Sequence, residues 1–176
     1  VLHLRDPRQT VAQHLGSDER VHRFATIDDY RGHLRRIVPQ ARHHLRILTR
    51  DMESGVLDDE ELVESFGRFC RQSAVSRVRL LTADDKIPVA AGNKLLKLAL
   101  RLPSRFELRV HKGPQAFPDQ VYTLADDQGL VLRHAHGAWD GFCCYRDSGT
   151  VKRLQEDFDR LWAQARLSLE FRHLRL

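Results

Sequence analysis

Residues able to do chemistry fall at several places in this chain. His134-x-His136 is followed by Asp140. On a strand, the two histidines would share one face, and the aspartate would complete a facial set of metal ligands for an unconventional metal-dependent hydrolase. No further ligand at zinc spacing follows, and a solvated hairpin end uses the same residues. Either thiolate of Cys143-Cys144, with His134 or His136 as base, would make a nucleophile. No elbow or glycine-rich oxyanion loop accompanies them, so buried thiols are the competing reading. His111-Lys112 stands at a strand end and could hold an anion. Arg50 closes a strand, while Lys94, Lys97, Arg101 and Arg105 follow a helical spacing. Such cations suit phosphate oxygens, or simply form a solvated helix face. His43-His44 diverge on any regular element and pair poorly.

These residues need elements to position them. Residues 7–15 read as a short helix with Pro7 in its first turn and Gly16 at its end. Residues 21–24 read as a brief strand. Thr26 is a helix cap followed by Asp28 and Asp29, and Ile27, Tyr30, Leu34 and Val38 face the core until Pro39 interrupts. Leu45, Ile47 and Thr49 alternate as a strand. A loop over 51–58 leads to a cap at Asp58 or Asp59 and a helix facing inward through Leu62, Phe66 and Phe69. Residues 78–81 form a continuous apolar strand, as expected for one covered on both faces. A helix runs over 93–102, and Phe106, Leu108 and Val110 alternate with polar neighbours. Strands over 121–125 and 130–133 flank the Asp126-Asp-Gln-Gly129 turn, with Gly129 able to supply a positive φ. Residues 142–145 form a further strand, and 150–165 a final helix. The order predicts an α/β fold, a mixed sheet flanked by helices.

The chain has 176 residues, 41% of them hydrophobic, enough for one well-cored domain. The reading divides it into an extension or linker over 1–26, the α/β domain over 27–166 and a tail over 167–176. No apolar run reaches the roughly 20 residues of a membrane span. The first residues lack the apolar core of a signal peptide, and three cysteines without a C-x-x-C pair read as reduced thiols, so a cytoplasmic location is expected. Net charge is +5, from 29 Lys+Arg against 24 Asp+Glu. That bias favours a phosphate-bearing ligand or nucleic acid as partner. Neither G-x-x-x-x-G-K-[ST] nor G-x-G-x-x-G occurs, and no cofactor is expected.

The segments L-R-I-L-T-R-D, V-R-L-L-T-A-D-D, F-E-L-R-V, V-Y-T-L-A-D-D-Q-G-L-V-L and C-Y-R-D-S-G-T-V-K-R-L-Q-E-D-F-D-R-L-W occur in this order. Together they resemble one half of the phospholipase D fold over residues 27–166. More narrowly, T-R-D at 49–51, L-P-S-R at 102–105, F-D-x-x-W at 158–162 and L-E-F-R-H-L-R-L at the end are similar to a bacterial family of that fold. The resemblance implies an adjacent or fused N-acetyltransferase domain of the Gcn5 type, and pairing of halves as a homodimer. It also supplies a catalytic pattern, His-x-Lys, four residues, then Asp. In that pattern the histidine attacks phosphorus and the lysine neutralises phosphate oxygens. With Asp126 as the acid, Asp119 stands at the nucleophile and Val121 at the cation. Shifting the acid to Asp127 gives Gln120 and Tyr122, which serve no better.

The expected function is therefore a non-catalytic binding or interaction module. A phosphate-bearing ligand would meet Arg50, Lys94, Lys97 and His111. The alternatives are an accessory domain regulating an acetyltransferase, with the 167–176 tail as its contact, and a metal-dependent hydrolase using His134, His136 and Asp140.

Overall fold

Seven strands form one sheet in a computed structural model that describes residues 12–174. They are β1 (Val21–Phe24), β2 (His44–Thr49), β3 (Arg77–Thr82), β4 (Phe106–Val110), β5 (Val121–Ala125), β6 (Gly129–Arg133) and β7 (Gly141–Cys144). The helices are α1 (Ile27–Ile37), α2 (Glu60–Gln72), α3 (Lys86–Ala90), α4 (Lys94–Arg101), α5 (Ser148–Gln164) and α6 (Leu169–His173). Strand order is β1-β7-β6-β5-β2-β3-β4. The β2–β3 and β3–β4 pairs are parallel, joined through helices, and the other pairs are antiparallel. This is the mixed sheet flanked by helices that the element order predicts.

Local chemistry fixes the helix starts. Thr26 accepts from the Asp29 N–H, Asp59 from Leu62, Asn93 from Leu96 and Asp147 from Thr150. Each satisfies one of the donors a helix leaves open at its N-terminus. Asp59, not Asp58, caps α2. Asp58 instead accepts from the Gly55 N–H at 2.5 Å, inside the preceding loop. Pro39 converts the end of α1 into a short 3-10 turn over Val38–Gln40.

The sheet has a core on each face. Tyr30, Leu34, Ile37, Leu62, Phe66, Leu95, Leu96, Leu45, Ile47, Val78 and Phe106 belong to one cluster, bringing α1, α2 and α4 onto that face. On the other, α5 brings Val151, Leu154, Phe158, Leu161 and Trp162 onto Leu48, Tyr122, Leu124, Leu130 and Leu132. Cys143 joins the first cluster and Cys144 the second, as strand alternation requires.

Two sequence expectations change, and two elements are new. Residues 12–17 form turns, and the rest of the helix expected over 7–15 lies largely outside the described residues. The positive φ of the 126–129 turn belongs to Asp126 (+51°), not Gly129. Gly129 is needed for space, because a Cβ there would press on Leu15 and Ile37. α3 is a five-residue helix too short to show a periodic face. In the tail, Arg166 makes one antiparallel bridge to Val110, then α6 forms and buries Phe171.

The segments before and after the expected domain are built into the sheet's surroundings. β1 pairs with β7, and Asp18 anchors the approach to it. Its carboxylate accepts from the Gln13 N–H, from Arg20 and from His22. Burial alone would raise its pKa, but these bonds hold it well below the usual carboxylate range.

Gly141 is the tightest point of the sheet, since a Cβ would collide with the Leu132 carbonyl and the Phe24 ring. Gly141→Ala is expected to lower stability by about 1–3 kcal/mol in denaturant unfolding, with an unchanged far-ultraviolet spectrum.

Candidate functional site at the carboxyl rim of the sheet

Two long-range connections meet where β2, β3 and β4 end. The chain leaves β4 and crosses to β5, which pairs with the far side of β2. This crossing marks the switch between the parallel and antiparallel halves, where α/β sheets commonly offer a crevice. The Arg50 backbone is fixed there: its carbonyl accepts from the Asp84 N–H (2.8 Å), the Ala83 N–H (3.1 Å) and the Thr82 hydroxyl (2.9 Å). Its guanidinium lies 3.7 Å from Asp119 and 5.8 Å from the centre of the Phe117 ring.

Asp119 stands two residues before the first residue of β5, at the position the resemblance gives to a nucleophile. Val121 is 2% exposed, so the cation position is an apolar core position. Asp126 lies at the other end of β5, roughly 17 Å away along five residues. Its carboxylate accepts from the backbone N–H groups of Arg42, His43 and His44. That is a turn-closing role, and it explains the tolerated positive φ.

The histidine cluster separates in space. β6 ends at Arg133, so strand alternation does not align His134 with His136. The His134 N–H donates to the Asp140 carbonyl, while the His136 N–H donates to that of Asp119 at 2.8 Å. The His136 ring lies 3.7 Å from Asp51, at the rim, and the His134 ring lies beside Phe142. Among the described residues no group of three or more His, Cys, Asp or Glu is placed to hold a metal. His111 is buried near Phe117, with its Nε2 2.6 Å from the Gln115 carbonyl, and so braces the crossing segment.

Lys94 carries a charge that is already matched. It pairs with Glu60 at 2.6 Å. Lys97 lines a groove with Pro88 and Leu100. Arg105 donates to the carbonyls of Ser73 and Ala74, which precede β3. The basic stripe thus follows α4 away from the rim instead of gathering there. Of the four expected ligand-binding residues, Arg50 and His111 come together and the two lysines do not.

The main organiser of the rim escapes sequence reading. Arg133 is 1% exposed and pairs with Glu53, itself 7% exposed. The guanidinium also donates to the carbonyls of Ala138 (2.8 Å) and His136, and lies 4.2 Å from the centre of the Trp139 ring. Tyr30 donates to Glu53 at 3.4 Å. Met52 and Glu53 both have positive φ, +61° and +30°, a conformation unusual without glycine and held here by neighbours. The Met52 N–H donates to the Thr49 hydroxyl, and its carbonyl accepts from the Asn93 amide. An arginine ending an apolar run was the only available signal, and its partner lies eighty residues earlier.

Residues 26–174 match the model of a family described as a domain of unknown function, DUF7931. The chain belongs to the DUF7931 family. No curated protein matches it in sequence. Its fold is similar to that of TrmBL2, an archaeal chromatin protein with a novel mode of DNA binding. The TM-score is 0.58 at 16% identity, over 84% of this chain and 54% of that one. Nuc, a phospholipase D family member from Salmonella typhimurium, gives 0.57 at 13% identity, over 84% and 95%. NucT from Helicobacter pylori gives 0.60 at 11%, over 83% and 97%. At these identities the likeness establishes a phospholipase D-like α/β fold. The DUF7931 chain spans nearly all of Nuc and of NucT but about half of TrmBL2.

Burial pushes the DUF7931 thiols away from reactivity, Cys70 up to about 11 and Cys143 up to about 12. A disulfide-exchange reagent at neutral pH should leave both unmodified until the protein unfolds. Arg133→Met is expected to cost about 3–5 kcal/mol, because it strands a buried carboxylate. Burial already raises Glu53 above its ordinary 4.5, against the pull of Arg133. A raised folded-state pKa favours the fold at low pH and loses that contribution as pH rises. The Arg133→Met deficit should therefore be smaller near pH 5 than near pH 8 in thermal unfolding.

Proposed function

We propose that this DUF7931 chain is a non-catalytic binding module that takes a phosphate-bearing ligand, nucleic acid included. The single observation carrying the first half is the start of β5. A carboxylate stands at Asp119 where phosphorus would have to be attacked, and Val121 is buried where a cation would have to reach phosphate oxygens. An acidic side chain repels a phosphodiester, and no positive charge replaces the missing lysine on that strand. The ligand class is supported by the basic excess of the chain and by Arg50 at the rim. A DNA-binding chromatin protein of similar fold agrees with it. His111 supports the site by bracing the crossing segment, while Lys94 is matched by Glu60 and Lys97 lines the groove beside Pro88.

A second reading is docking onto a neighbouring protein domain, such as an acetyltransferase. It is favoured by Ile87, Leu167, Leu169 and Leu174, exposed on α3 and around α6. α3 and α6 touch, so these apolar side chains belong to one region. Leu169→Lys should abolish co-purification with such a domain while leaving the isolated chain equally stable.

The main reading is tested with purified protein and a chromogenic phosphodiester, followed by titration with phosphorylated ligands and oligonucleotides at two salt concentrations. The expected outcome is no hydrolysis above buffer, together with binding that weakens as salt rises. Measurable turnover lost on mutating His136 would instead revive a hydrolase.

A further inference from the structure

The face of the sheet under α5 is divided into an apolar half and a basic half. Cross-strand register sets Leu124, Arg46, Arg79 and Glu107 in one row, from β5 to β4. The next row towards the rim is Tyr122, Leu48, Leu81 and Arg109, and His44 stands opposite Arg77 in the row behind. α5 packs on the apolar residues of β5, β6 and β7 and on Leu48 and Leu81. The remaining surface of β2, β3 and β4 carries four arginines and a histidine against one glutamate.

These arginines are poorly neutralised. Arg46 is 3.9 Å from Asp159, and Arg79 and Arg109 are each 3.9 Å from Glu107. Nε and Nη1 of Arg46 are shielded from solvent and have no hydrogen-bond partner. Buried donors without partners leave the Arg46 charge largely uncompensated from within the protein. Trp162 orders two of the others. Arg109 lies 4.5 Å and Arg79 5.5 Å from the centre of an indole ring, and Arg109 also donates to the Trp162 carbonyl. Stacking on the indole restrains the planes and leaves N–H edges free for phosphate oxygens.

The shape excludes an enclosed small ligand. The depression among His44, Leu45, Arg46, Arg77 and Arg79 holds only about 90 Å³, well below an ordinary small-molecule pocket. A repeating anion can instead use the spacing of the pleat, about 4.8 Å between strands and about 6.8 Å between same-face residues on one strand. A flexible strand can follow such a patch and stack bases on guanidinium planes, which a stiff duplex cannot.

We infer that this arginine face binds the sugar–phosphate backbone of a single-stranded nucleic acid. The inference rests on the phosphate-ligand reading above and locates its main contact away from the rim, where Arg50 already faces Asp119. Arg46, Arg77, Arg79 and Arg109 contact phosphates, and Trp162 positions two of them.

The test uses the full chain and a labelled single-stranded oligonucleotide in fluorescence anisotropy, with the matching duplex and polyglutamate as comparison probes. Three to four phosphate contacts should weaken single-strand binding about 30-fold between ~50 and ~200 mM salt. Arg79→Glu, and separately the double variant Arg46→Gln with Arg79→Gln, should each lose about 10-fold or more and show a shallower salt slope. Arg50→Ala, at the rim, should lose less than either of these, and thermal unfolding should show that every variant used is folded. Folded variants that bind as wild type, loss confined to Arg50→Ala, or equal affinity for the duplex or polyglutamate would each overturn the assignment. Wild-type protein that binds neither oligonucleotide nor phosphorylated ligand would overturn the broader reading as well.

Discussion

The rim of this fold depends on one buried ion pair. Arg133 ends a strand that is otherwise wholly apolar, and Glu53 sits in the loop after β2, outside any regular element. Neither charge has water to solvate it, so each is tolerable only while the other is present. The pair thereby ties the 51–58 loop to the 134–140 loop. Through the carbonyls of Ala138 and His136, Arg133 also sets where His136 can lie, and His136 in turn bonds the chain just before β5. The geometry around Asp119 is thus inherited from an interaction on the opposite side of the loop.

Such a pair is an expensive way to stabilise a protein, and apolar replacements of similar volume often do as well. Its value here is positional. Two left-handed non-glycine residues, Met52 and Glu53, are imposed on the loop, with the Asn93 amide and the Thr49 hydroxyl sharing the work. A constellation this tightly specified is surprising beside a strand that lacks both nucleophile and cation. It keeps the rim in one shape whether or not that shape performs chemistry.

The fold was legible in the sequence wherever burial has a period. The helix faces of α1, α2, α4 and α5, the strands β2 to β7 and the opposed thiols all follow from alternation, caps and turn residues. The resemblance to a phospholipase D half rested on that order and was sound for the same reason. What failed were readings that assumed a strand beyond its end. His134 and His136 both lie past β6, which ends at Arg133. Lys94, Lys97 and Arg101 were correct as a helical spacing, but Arg105 lies past the end of α4, and the spacing said nothing about where the helix points. The Arg133–Glu53 pair was invisible because side-chain pairing across eighty residues leaves no local pattern. The arginine face was equally hidden. Arg46, Arg79 and Arg109 each look like the ordinary polar side of a strand until register aligns them.

The division of that sheet face also bears on how two copies could meet. The β4 edge is interrupted where Arg166 bridges Val110, and the opposite edge is only the four-residue β1. Short or occupied edges are poor templates for extending a sheet into a neighbour. Stacking two sheets through their arginine halves would set like charges against each other across a low-dielectric gap, which costs several kcal/mol. Self-association through this surface is therefore self-limiting unless a polyanion lies between the copies. The same charge that marks the face keeps it free.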